Sequence, residues 1–67
     1  MTSVGQDFPK ELARVREVKQ NYLTIGPAGI FGATLIEQDI QAAERALASG
    51  DVIEIVKAYA RLKEIKD

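Results

Sequence analysis

The sequence predicts an all-α fold, a small antiparallel three-helix bundle or a helical hairpin plus a third helix, with dimerisation as a way of completing it. Two observations carry this expectation. Apolar residues recur at steps of three and four through three separate runs, the spacing that aligns one face of a 3.6-residue helix. The runs are punctuated at Gly26-Pro27 and at Ser49-Gly50-Asp51, residue types that stop one helix and start the next.

The first helix is predicted over 9–24, opened by Asp7-Phe8-Pro9, because proline suits a first turn in which its missing amide hydrogen has no partner anyway. Residues 1–6 have neither the basic region nor the apolar core of a signal peptide and are expected to form a loose end. Phe8, Leu12, Val15, Val18, Tyr22 and Ile25 form the buried stripe. Gly26 is expected to close this helix with a left-handed residue, and Pro27 to reverse the chain. The second helix is predicted over 28–48, with Ala33, Ile36, Ile40, Ala43 and Leu47 facing inward. Ser49-Gly50 ends it. Asp51 then caps a third helix over 52–66, and Glu54 completes a capping box. Val52, Ile55, Val56, Tyr59 and Leu62 make its apolar side.

A chain of 67 residues is read as one domain, 1–67, of a size that buries only about 60% of its unfolded surface. It has no Cys and no His, which removes disulfides, thiolate chemistry, zinc sites and the usual general base of neutral-pH catalysis. Helix packing or oligomerisation must therefore stabilise it. Apolar residues at 46% and charged residues at 28% fit a folded domain. A net charge of −1 provides no long-range field for nucleic acid or anionic lipid. The uncharged stretch 21–36 contains Gly26, Pro27, Gly29 and Gly32 and is shorter than the roughly 20 apolar residues of a membrane span. The expected compartment is the cytoplasm.

Three features depart from a plain bundle. The apolar arcs are wide: in the third helix Ile53, Ala58, Ala60 and Ile65 extend the stripe on both sides, which either a three-helix bundle or a homodimer seam could cover. Asp39 falls inside the second helix's apolar arc and calls for a polar partner, with Arg16, Lys19 and Tyr59 the candidates. Its readings are a solvated gap, a structural ion pair or a functional contact. Finally, Gly29 and Gly32 lie early in the second helix, where glycine is costly unless backbone approaches a neighbour closely. Ile30 and Phe31 beside them, with Leu35, Ile53 and Ile65, are the candidate partner interface.

No residue set suggests catalysis. Ser3, Thr24, Thr34 and Ser49 lack a base, and Glu37 and Asp39, two apart on a helix, point in different directions. No cofactor or metal is expected. Lys10, Arg14, Arg16 and Lys19 on the first helix, and Lys57, Arg61, Lys63 and Lys66 on the third, permit an alternative reading as a nucleic-acid-associated regulator. They are interleaved with Glu11, Glu17, Glu54 and Glu64, however, as on solvated helix faces, so nucleic acid is disfavoured.

The run Ala46-Leu47-Ala48-Ser49-Gly50-Asp51, followed by Ala58-Tyr59, resembles the inter-helix turns of tetratricopeptide repeats, although a single hairpin is not a repeat array. Asp7-Phe8-Pro9, the run from Ile25 to Ala33, Ser49-Gly50-Asp51-Val52, Ala58-Tyr59 and Leu62-Lys63 together resemble short uncharacterised proteins of Mu-like bacteriophages and prophages of proteobacteria. That resemblance implies a setting in which small proteins commonly bind a host protein and alter it. The expected function is a small, non-enzymatic protein–protein interaction module, with a protein partner and a homodimeric state.

Overall fold

Ser3, an extended residue, places its hydroxyl as acceptor for the amide of Gln6 at 3.2 Å and so starts a helix five residues before the expected position. The computed structural model describes residues 3–67, and helix α1 runs Val4–Thr24. The expected loose end at 1–6 is thereby corrected for residues 3–6, while Met1 and Thr2 lie outside the described residues. The physical reason is the Ser3-Val4-Gly5-Gln6 spacing, a serine followed three residues later by glutamine, which caps an N-terminus. Pro9 therefore sits inside α1 rather than at its first turn. Its missing amide leaves the carbonyl of Gly5 without the usual helical donor, at an exposed position.

Helix α2 spans Pro27–Ser49 and helix α3 Val52–Glu64. Between α1 and α2 the chain turns at Gly26, whose φ of 106° and ψ of −156° belong to backbone space that side chains exclude. Proline follows at the first position of α2, with its φ already set for a helix. The second turn is purely architectural. Gly50 is left-handed at φ 71°, and the Asp51 carboxylate accepts from the amides of Ile53 at 2.9 Å and Glu54 at 3.4 Å. Only half of the expected capping box forms, because the Asp51 amide donates to the Ser49 hydroxyl at 3.1 Å and Glu54 lies toward Lys57 instead.

All three helices touch one another. α1 and α2 form the antiparallel hairpin, pinned by Lys19 to Glu37 at 2.8 Å and Arg16 to Glu44 at 3.5 Å. α3 returns along the hairpin, parallel to α1. Its last turn is shorter than expected, ending at Glu64 rather than near 66. Arg14 explains this. Its guanidinium donates to the Leu62 carbonyl at 3.0 Å and also binds Asp67, which draws the final residues toward α1 and out of the helix.

The core is Phe8, Leu12, Val15 and Val18 of α1, Ile36, Ile40, Ala43 and Ala46 of α2, and Ala58 and Leu62 of α3. Val15, Ala43 and Leu62 are wholly inaccessible. Alanines at the α2 positions let the three axes approach closely. The consequence is a thin core for the amount of apolar side chain present.

Candidate interaction surface

The glycines at the first turn have a local explanation. A Cβ on Gly29 would stand 1.8 Å from the Tyr22 carbonyl oxygen, and one on Gly32 would stand 2.5 Å from the Tyr22 ring. The close neighbour that the glycine spacing requires is thus α1 of the same chain, and the turn itself is packed by Tyr22. Its large apolar neighbours are not. Ile25 is 67% exposed, Ile30 54% and Phe31 74%.

Among the described residues, Leu23, Ile25, Ile30, Phe31, Leu35, Leu47, Val52, Ile53 and Val56 are all exposed large hydrophobics. That exceeds the seven large residues fully buried, Phe8, Leu12, Val15, Val18, Ile36, Ile40 and Leu62. Four of the five residues expected at a partner interface, Ile30, Phe31, Leu35 and Ile53, lie in this exposed set. Ile65 does not: it packs against the core at the end of α3. There it lines a shallow depression of about 380 Å³ with Tyr22, Gly32, Leu35, Ile36, Asp39 and Lys66. The depression exists because α3, at 13 residues about 20 Å long, is shorter than the 23-residue α2 beside it.

The sequence placed Ile25, Leu47, Val52 and Val56 on buried faces, and each is exposed. Ile25 caps α1 and Leu47 lies in the last turn of α2; for Val52 and Val56 the rotation of α3 is responsible. Its inner side is Ile55, Ala58, Tyr59, Leu62 and Ile65, held to α1 by polar contacts that periodicity does not reveal. The Tyr59 hydroxyl donates to the Asp7 carboxylate, and Lys63 reaches Glu11 at 3.6 Å and Asp7 at 3.9 Å while standing 5.6 Å from the Tyr59 ring centre. The hydrogen bond to Asp7 holds the Tyr59 phenol above its ordinary value, since ionisation would bring two anions together. Lys63 is likewise raised, by the phenol oxygen first and then by Glu11. Arg14 is raised chiefly by its hydrogen bond to Glu11.

The expected group around Asp39 does not assemble. Arg16 pairs with Glu44, Lys19 with Glu37 and Tyr59 with Asp7, while Asp39 is partly exposed at 32% and lies 3.8 Å from Arg61. Asp39 faces α3, beside Arg61, whereas Arg16 and Lys19 lie on the opposite edge. Of its readings, the structural ion pair fits, at a separation too long for a hydrogen bond. On that opposite edge Glu37 is held below its ordinary value by Lys19 first and Gln41 second.

Among the described residues no helix is long and apolar enough to cross a membrane, and no group of three acidic side chains is placed to hold a metal ion. Arg14, Arg16, Lys19, Lys57, Arg61 and Lys63 stand within 4.0 Å of a carboxylate, whereas Lys10 of α1 has none that close among the described residues, so most of the basic residues of α1 and α3 are matched by an acidic neighbour. The chain has no match among known protein families, curated proteins or solved structures.

Proposed function

We propose that this chain is a small, non-enzymatic protein–protein interaction module that works through apolar surface, assembles as a homodimer and acts in the cytoplasm on a host protein in a phage or prophage setting. The observation that supports this reading is the excess of exposed over buried large apolar residues. A monomer that left these residues in water would forgo stabilisation of about 1.5–3 kcal/mol for each one it could have buried. Large exposed apolar side chains cluster about both turns, and such patches mark recognition surfaces. Lysine and arginine side chains that are matched by carboxylates favour a protein partner over nucleic acid.

The test is affinity capture from the native host with the wild-type chain beside a Phe31→Lys, Leu35→Lys variant. Expected is one host protein retained stoichiometrically by the wild type and lost with the variant. Equal retention by both, or retention of none by either, contradicts the reading.

A further inference from the structure

Helix α3 is apolar on two separate sides. Ile55, Ala58 and Leu62 face the hairpin, and on the outside Val52, Ile53, Val56 and Ala60 face solvent, the first three at 71%, 66% and 48% exposure. We propose that this outer side is the seam of a two-fold homodimer, in which α3 lies antiparallel against α3 of a second copy. The proposal rests on the reading of the chain as an interaction protein and specifies one of its partners and the geometry.

Two properties of the helix, with the area it offers, fit a second copy as the occupant. The outer stripe Ile53, Val56, Ala60 follows the three-then-four spacing of a two-helix seam. Its side chains shrink along the helix, so an antiparallel copy sets bulky Ile53 toward small Ala60 in both directions, whereas a parallel one stacks large on large and leaves a gap at Ala60.

The area is sufficient at the lower limit. Covering Val52, Ile53, Val56 and Ala60 removes on the order of 350 Å² of apolar surface per copy, close to the apolar share, about 65%, of a stable interface of roughly 1,200 Å² in total. A two-fold contact also consumes the stripe completely, so assembly stops at two.

The chain contains no cysteine, which makes single-cysteine variants clean probes. Ile53→Cys and Ala60→Cys chains are mixed and oxidised gently, and the disulfide products are identified by mass. The mixed 53–60 product is expected to exceed both 53–53 and 60–60 several-fold. Dominance of the like pairs, or no crosslinking, overturns the seam. In parallel, sedimentation equilibrium should give twice 7.3 kDa for the wild type and 7.3 kDa for Ile53→Lys. Circular dichroism should show that this exposed substitution leaves the helices intact; if it does not, the crosslinking pattern decides. A dimer that survives Ile53→Lys but is lost with Phe31→Lys overturns the seam and leaves the interaction reading standing. A monomeric wild type that still captures a host protein does the same, and a monomer that captures nothing overturns both.

Discussion

Gly29 carries the tightest constraint among the glycines, because the space a methyl group would need is filled by backbone rather than by a movable side chain. Gly29→Ala must push α2 away from α1, and the expected cost is about 3 kcal/mol, read as a lowered urea midpoint with little change in slope. Gly32→Ala is expected to cost less, since the Tyr22 ring it meets can turn aside. The need for close approach at both glycines was legible in the sequence, from their placement early in a helix. The neighbour was not, because nothing in one helix says which face of another will meet it. Asp39 teaches the same lesson in reverse. Asp39 was singled out as a charge in an apolar arc calling for Arg16, Lys19 or Tyr59, but the arc serves two neighbours, and a partly exposed Asp39 belongs to the α3 side, beside Arg61.

At the scale of elements, helix existence and the two turns were legible because each is written in local chemistry: the 3.6-residue period, Gly26-Pro27, and Ser49-Gly50-Asp51. The start of α1 was written there as well, in Ser3 and Gln6, but Pro9 offers a competing signal six residues later. The rotation of α3 was not legible, since apolar residues surround it and the choice between faces is made by polar ties to α1. Those ties predict a pH response. Tyr59 and Lys63 are both raised in the folded chain, so their contribution is fully present below their ordinary values of 10.0 and 10.5 and is lost as pH rises through the higher folded values. The helical unfolding midpoint is expected to hold up to about pH 10 and to fall as pH rises beyond it, and Tyr59→Phe should reduce that fall. Glu37 works in the opposite window. Its depressed value stabilises the α1–α2 edge above 4.5, and this small, solvent-screened contribution is lost as pH falls through the lower folded value.

The whole molecule is more open than its length requires. Its radius of gyration is 12.3 Å, against about 11 Å for a compact domain of this many residues. Its accessible surface is 4681 Å², against roughly 4,200 Å² for a typical monomer of this mass. Four alanines among the buried apolar residues and large side chains outside explain both: the bundle is drawn in tightly along one thin core while Phe31, Val52 and Ile53 remain at its margins. Burial on this scale leaves little margin over the chain entropy of ordering residues 3–67. In the proposed dimer a second copy covers part of that surface, which would make folding and association one process. Urea unfolding followed by helical circular dichroism over a hundredfold range of protein concentration tests this directly. The midpoint is expected to rise steadily with concentration; a midpoint that stays fixed across the range would contradict a fold completed by its own second copy.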